Sequence, residues 1–476
     1  MVVVGGGITG VTAALLLQQQ GRDVVLLEAA RIGAGTTGGT TGKLTSQHGL
    51  IYTDLVERHS WDVARAYAEA NQGALRLIES LANEVATDCN FTAASAIVYD
   101  REGDDSDRLR TEYETTVALG LPARLIRETD LPFEVSWALE FSDQAYFHPV
   151  RYCRALVREF LRLGGRLHEN SRAVGLHEAD EQVEIVTGDG SVTAEHAIIA
   201  TLLPFVDRGG FFAKTTPSRA YGVAARLASP PPPDMYISSS EPTRSLRPWP
   251  DGGPNGAIIV GENHPTGDSN ADPGRWGALE RWANESFEVE SFEYRWSAQD
   301  YDTADRLPYM GRSPLTKRTL VATGFAKWGL SNGTAAAAIL ADLVLGKENP
   351  FVDAFSAGRI GDLAAVTRLV RTNAATAAGL IRDRVGRLSL PSVAGLERGQ
   401  ADIVSVDNTA VAVYRDPSGV LHAVSPTCTH LRCGVRWNDA ENTWDCPCHG
   451  SRFDIDGSVL TGPATEPLDQ VQVESP

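Results

Sequence analysis

Cysteine, methionine and positive charge are what this chain has least of. Six cysteines and three methionines stand among its 476 residues. Six cysteines are too few for a disulfide-built secreted scaffold, so the usage is that of a cytoplasmic protein with a core of its own. With 43 Lys and Arg against 61 Asp and Glu, the formal net charge is −18. That balance argues against nucleic acid, whose phosphates call for a basic face, and against an anionic membrane surface. A basic partner protein stays compatible with it. No apolar run reaches the ~18 residues that a spanning helix needs, so no membrane span is expected. Val11 to Leu17 is apolar, but glycines rather than basic residues precede it, which argues against a secretory signal. The first strand starts almost at Met1, and a few further native residues are expected before it. What is plentiful is apolar surface (42%) and glycine (45 residues), as suits a globular α/β chain. The length suits about three domains of ~150 residues.

The N-terminus is organised around glycine. Val2-Val3-Val4 reads as a short buried strand entering Gly5-Gly6-Gly7-Ile8-Thr9-Gly10. A helix follows from about Ile8 to Gln20, and Gly21 stops it. Asp23 to Glu28 is a second strand, continuous in apolar residues as a parallel strand is. Strand, Gly-x-Gly-x-x-Gly, helix, strand and acid make up a dinucleotide-binding unit. Gly5 permits the tight turn, Gly7 lets a pyrophosphate approach the backbone, and Gly10 lets helix and strand pack closely. The phosphates sit on the free N–H groups of the helix N-terminus. Glu28, 18 residues beyond Gly10, is placed to accept from ribose hydroxyls. Gly33-x-Gly35-x-x-Gly38 matches the glycine pattern again but follows no apolar strand, so it is not a second nucleotide site.

Near the C-terminus stand Cys428-Thr429-His430-Leu431-Arg432-Cys433 and Cys446-Pro447-Cys448-His449-Gly450-Ser451. A Rieske [2Fe–2S] centre takes two thiolates on one iron and two imidazoles on the other. Cys-x-His and Cys-x-x-His, with 15 residues between them, supply that set. Cys428 and Cys446 are assigned to one iron, His430 and His449 to the other. Two Cys and two His also close a zinc tetrahedron, but the Cys-x-His pair is too tight for a finger knuckle. The stretch, from about residue 390 to 470, resembles Rieske proteins of the cytochrome bc complex type. That resemblance implies a disulfide between the leftover Cys433 and Cys448, tying the two loops together. It also implies that Gly462-Pro463-Ala464 is the proline loop over the cluster. Ser451 stands where high-potential members carry a sulfur-bonding serine, but Phe453 replaces the tyrosine two residues on. Hydrogen bonds to sulfur stabilise the reduced cluster, so the potential is expected to lie below that of the respiratory relatives. Cys89 and Cys153 are left as core or helix thiols outside the cluster region.

Several segments of residues 1–350 resemble the D-amino acid oxidase/glycine oxidase family of FAD enzymes. They are the loop Arg31 to Gly39, Tyr146-Phe147-His148-Pro149-Val150-Arg151, Asp305 to Gly311, and Thr323 to Leu330. The resemblance implies an α/β FAD-binding domain, Rossmann-like and of the glutathione-reductase type, built from residues 1–50, 141–204 and 301–350. An α+β substrate domain takes 51–140 and 205–300, a linker helix 351–388, and a C-terminal all-β Rieske domain 389–476. Apolar spacing over 54–85 is helical. Residues 90–100 read as a strand, 106–130 as a helix and a connection, and 216–300 as antiparallel strands. The implied FAD contacts are Gly5, Gly7, Gly10, Glu28, Arg31, Thr36, Thr37, Thr41, Lys43, Val174, Gly311, Gly324, Gly329 and Leu330. The last two lead into a helix over 331–346 whose N-terminus would face the flavin. Substrate-side candidates are Tyr146, His148, Arg219, Tyr221, Tyr309, Lys327 and Trp328. Arg219 is the choice for a substrate carboxylate, which a guanidinium binds in bidentate fashion; a surface salt bridge would use it equally well.

A flavin accepts two electrons as hydride and a Rieske cluster carries one, so the pair forms a two-to-one electron converter. The expected protein is an FAD-dependent oxidoreductase, a flavoprotein that oxidises a C–N bond of a small amine or amino acid. Its electrons would pass singly through the cluster to an external acceptor protein. In a first alternative, a donor protein reduces the cluster and the flavin runs an oxygen-dependent tailoring reaction. In a second, the protein is a relay or redox sensor that turns over no organic substrate. A single nucleotide fingerprint disfavours an NAD(P)H reductase.

Overall fold

Three consecutive valines persist as a strand only where both faces are covered. In the computed structural model, which describes residues 1–85, 88–268, 274–359 and 390–473, Val2–Val4 lies inside a six-stranded sheet. The order is Tyr309–Arg312, Thr319–Thr323, Ala197–Ile199, Val2–Val4, Val25–Leu27, Arg166–His168. All pairs are parallel except that of the edge strand Tyr309–Arg312. Side chains alternate between faces, as the pleat requires. Val3, Leu26, Ile198 and Leu320 share a core with helices Ile8–Gln19, Pro149–Arg162 and Gly329–Leu345. Val2, Val4, Leu27 and Ile199 turn the other way, toward the meander Ala173–Glu178, Val183–Thr187, Gly190–Ala194.

A nine-stranded sheet stands over this unit, and its longest strands are Thr215–Leu227 and Val289–Thr303. One face packs Val223, Ala225, Leu246 and Ile259 against Leu279 and Ala283 of helix Gly274–Ser286. That helix breaks the all-strand reading of 216–300. Its fully buried side chains are only Leu279 and Ala283, too thin a stripe to show as helical periodicity. Strand Ala123–Ile126 lies inside the stretch read as a connection.

The C-terminal unit is two small antiparallel sheets, Ala401–Val406, Thr409–Arg415, Leu421–Val424 and Arg436–Asn438, Thr443–Asp445, Arg452–Phe453, Val459–Thr461. Fully buried Trp444 packs with Cys428, Cys446 and Phe453 in its core. Of the linker helix read over 351–388, residues 351–359 form turns instead, and 360–388 lie outside the described residues.

Candidate functional site

The first glycine motif builds one end of a cavity of about 510 Å³, within the range of about 300–1,000 Å³ usual for small-molecule sites. Helix Ile8–Gln19 crosses the first strand so closely that a Cβ at Gly10 would overlap the Gly5 carbonyl oxygen. Gly5 itself turns at φ +113°. Thr37 Oγ1 accepts from the Ile8 N–H at 3.1 Å, and Thr36 Oγ1 donates to the Gln299 carbonyl at 2.8 Å. The second glycine loop is thereby tied to both the first and the large sheet. Glu28 accepts from the N–H groups of Gly6 and Ala30, at 2.6 and 2.8 Å. A carboxylate offers about four lone-pair positions, so acceptor capacity remains at the cavity.

Among the inferred FAD contacts, Gly5, Gly7, Glu28, Thr36, Thr37, Gly329 and Leu330 line this cavity. Gly10 acts one layer behind it. Arg31, Thr41, Lys43, Val174, Gly311 and Gly324 are not among its lining residues. Lys43 runs into the large sheet instead, donating to the Tyr236 carbonyl and the Ser245 hydroxyl, each at 2.6 Å. Burial holds its ammonium well below the usual range. Thr41 offers its carbonyl to Arg247, Gly324 backs onto Thr303, and Gly311 lies on the sheet edge. Val174 follows Arg172 and Ala173, which do line the cavity.

Of the substrate-side candidates, Arg219 and Lys327 reach the same space. Tyr221 turns under helix Gly274–Ser286 past an irregularity between Arg219 and Tyr221, its ring 5.0 Å from Trp276. Trp328 stacks on buried His48 at 4.7 Å. Tyr309 lies under the Arg359 guanidinium. His148 caps helix Pro149–Arg162 and, with Tyr146, lines a separate cavity of about 280 Å³. Two residues at the main cavity carried no sequence signal: Gln299 and Asp300, on strand Val289–Thr303. Asp300 accepts from the N–H groups of Tyr301 (2.8 Å) and Lys327 (2.6 Å). Burial raises its carboxyl to about 7.

The far wall comes from the C-terminal unit, through Arg452, Leu460, Thr461, Gly462, Ala464 and Thr465. Arg219, only 1% exposed, ion-pairs with Glu441 of that unit and donates to Ser297. Glu441 also takes Arg452 at 2.9 Å, and Arg452 pairs with Asp445 at 2.9 Å. Burial would raise the Asp445 carboxyl, but Arg452 and Arg219 outweigh it and hold the group below its usual range. The guanidinium singled out for a substrate carboxylate thus already carries one from its own chain.

Behind this wall lies the Cys/His set. Cys433 and Cys448 form a disulfide, and Cys428 and Cys446 are free, buried thiols. The sulfurs of Cys433, Cys446 and Cys448 lie within 4.8 Å of one another. The imidazoles of His430 and His449 are 5.1 Å apart. His430 Nδ1 is buried without a hydrogen-bond partner, which fits a nitrogen meant for a metal. Burial lowers His430 and brings His449 down to about 4, keeping both neutral as ligands must be. Two thiols, two neutral imidazoles and a bridge joining their loops suit a [2Fe–2S] cluster bound by both residue types. Ser451 Oγ accepts from the Ala464 N–H at 3.0 Å, which fastens the proline loop over the site.

A glycine-cradled dinucleotide cavity beside a two-Cys, two-His cluster site defines a flavin and iron–sulfur oxidoreductase. The profile of the DAO family, FAD dependent oxidoreductase, matches residues 1–343, and that of the Rieske [2Fe-2S] domain matches 388–472. The chain belongs to the DAO family of FAD-dependent oxidoreductases and carries a Rieske domain, so its cofactors are FAD and a [2Fe-2S] cluster. It is 36% identical over 476 residues to YhfW of Bacillus subtilis (strain 168), named as a Rieske 2Fe-2S iron-sulfur protein, covering 99% of this chain and 93% of that one. Glycine oxidase from Geobacillus kaustophilus shares its fold with a TM-score of 0.65 at 21% identity, covering 75% of this chain and 98% of the oxidase. L-proline dehydrogenase from P. horikoshii does so at 0.62 and 18%, covering 75% and 96%.

Proposed function

We propose that this protein oxidises a C–N bond of an amine or amino acid by hydride transfer to FAD and sends the electrons singly through the Rieske cluster to an external acceptor protein. The shared cavity carries this reading: residues of the Rieske domain line the same space as the first glycine motif. Two neighbours of the fold, glycine oxidase and L-proline dehydrogenase, are named for amino-acid substrates, which supports C–N chemistry. When bound, FAD supplies two-electron acceptance and the cluster one-electron transfer.

The chain's own residues divide the remaining work. Gly5, Gly7, Thr36 and Thr37 would hold the pyrophosphate and Glu28 the ribose. Gly329 and Leu330 open a helix whose free N–H groups favour negative charge across the cavity. Cys428, Cys446, His430 and His449 would hold the cluster. Thr461, Gly462, Ala464 and Thr465 wall one side of the cavity. Hydride leaves a neutral amine, and Asp300, titrating at about 7, is suited to hold the amine's proton on its carboxyl oxygen. Because Glu441 engages Arg219, the site favours amines that place no carboxylate there. Cysteine usage supports a cytoplasmic location, and no described helix is long and apolar enough to cross a membrane.

The test is anaerobic mixing of the holoprotein with primary amines, secondary amines and amino acids, in the presence of an artificial one-electron acceptor. One class should bleach the flavin absorbance and reduce the acceptor without a nicotinamide. If no amine bleaches it, while an external donor to the cluster drives oxygen consumption, electrons run the opposite way.

A further inference from the structure

The imidazole side of the cluster site faces inward. Tyr301 Oη donates to the His449 carbonyl at 2.8 Å, and Gln299 Nε2 donates to the Gly450 carbonyl at 2.8 Å. Both donors belong to strand Val289–Thr303, which carries Gln299 and Asp300 at the FAD cavity. Tyr301 is 1% exposed and Gln299 4%. Phe212, from the flavoprotein part, sets its ring edge-on to both ligands, 6.2 Å from His430 and 5.0 Å from His449. Gly450 has no room for a side chain. A Cβ there would lie 2.6 Å from Gln299 Nε2, 2.7 Å from Pro217 Cβ and 2.8 Å from Tyr301 Oη. On the opposing surface, a Cβ at Gly267 would lie 2.7 Å from Pro447 Cα. One glycine from each side thus lets the ligand loop approach the flavoprotein to direct backbone contact. A surface that docks and releases has no need of such a fit.

We propose that Tyr301 and Gln299 are positioning residues that lock the ligand loop Cys446–Ser451 to the wall of the FAD cavity, so that FAD and cluster exchange electrons in one fixed geometry. The proposal rests on the reading that the two centres exchange electrons at all. Each transfer takes one electron from reduced FAD and gives it to the oxidised cluster. The second electron follows once an external one-electron acceptor has emptied the cluster, the proton that arrived with the hydride leaves to solvent, and no heavy-atom bond forms or breaks. His449, 6% exposed, is closed to outside proteins, which must take electrons past the partly exposed His430 or from another face of the Rieske domain.

The test uses the full holoprotein. Flavin is photoreduced by an anaerobic flash, and cluster absorbance is followed with and without added glycerol. The wild-type transfer rate is expected to be independent of viscosity. Tyr301→Phe combined with Gln299→Ala removes both hydrogen bonds to the ligand loop, along with those from Gln299 Nε2 to Tyr301 Oη and from Thr266 Oγ1 to Gln299 Oε1, and transfer should slow roughly tenfold and become viscosity-dependent. The EPR spectrum of the dithionite-reduced cluster should stay as in the wild type, which separates positioning from damage to the cluster. Hydrogen-exchange protection over residues 446–453 should fall in the double variant and, less, in the milder Tyr301→Phe. A wild-type rate that drops with viscosity overturns the proposal, as does a double variant that transfers at the wild-type rate. If the wild type transfers no electron, the relay reading fails by itself. Protection equal in wild type and variants then overturns the lock independently.

Discussion

Phe453 is fully buried in the core that also holds Cys428 and Cys446. A hydroxyl there would reach the sulfur region and favour the reduced, more negative cluster. One hydrogen bond of about 1 kcal/mol corresponds to roughly 40 mV for a one-electron couple. Phe453→Tyr should raise the midpoint potential by about that much in an EPR-monitored titration, and an equal or lower value contradicts this role. Asp300 offers a second residue-scale prediction. Burial raises its carboxyl from 3.8 to about 7 in the folded chain. Its contribution to stability is therefore full below the unfolded pKa and is lost as pH rises through 7. Asp300→Asn should melt a few degrees higher than wild type at about pH 8, with the gap closing toward pH 5. A gap independent of pH would sink this. The two residues differ in how far the sequence could show them. The environment of Phe453 followed from its place two residues after Ser451. Asp300 is set apart only by burial, which a charged residue among polar neighbours does not announce.

At the scale of elements, the glycine motif and the disulfide make the sharpest claims. Gly10→Ala would press a methyl group into the Gly5 carbonyl and push the helix off the strand. The variant should purify with most of its FAD lost, read as the flavin-to-protein absorbance ratio. The Cys433–Cys448 bridge closes a loop with a sequence separation of 15, a length for which cross-linking contributes about 3 kcal/mol. Replacing both by serine should speed loss of cluster absorbance in the presence of a chelator, while the flavin-to-protein ratio stays unchanged. These elements were legible because their chemistry demands fixed residue types at fixed spacings: glycine where backbones cross, thiolate and imidazole where iron binds. Helix Gly274–Ser286 was not legible, because tertiary packing rather than its own pattern specifies it. Lys43 shows the same limit. Its loop reads as flavin-facing, but pairing of Lys43–Leu44 with Trp137–Tyr146 turns the ammonium into the sheet.

For the whole molecule, the informative residues are the charges between the two halves. Arg219 and Glu441 are 222 positions apart and meet at the cavity wall. No local pattern in a sequence predicts such a pair, which is why the sequence left Arg219 open between a substrate anchor and a surface salt bridge and named no partner for it. Glu441→Gln would leave Arg219 and Arg452 buried with their shared carboxylate gone, a loss of about 3–5 kcal/mol for a broken buried pair. The Rieske domain should then release from the flavoprotein, visible as a second thermal transition; a single unshifted transition would contradict the assigned role of the pair.

The most direct test of the account is rapid anaerobic mixing with a reactive amine, followed by freezing at successive times for optical and EPR spectra. The account predicts that flavin absorbance bleaches first, and that the signal of the reduced Rieske cluster then grows within the same molecules at a rate independent of protein concentration. A flavin that stays reduced beside an oxidised cluster, or a cluster signal whose rate scales with protein concentration, would contradict it.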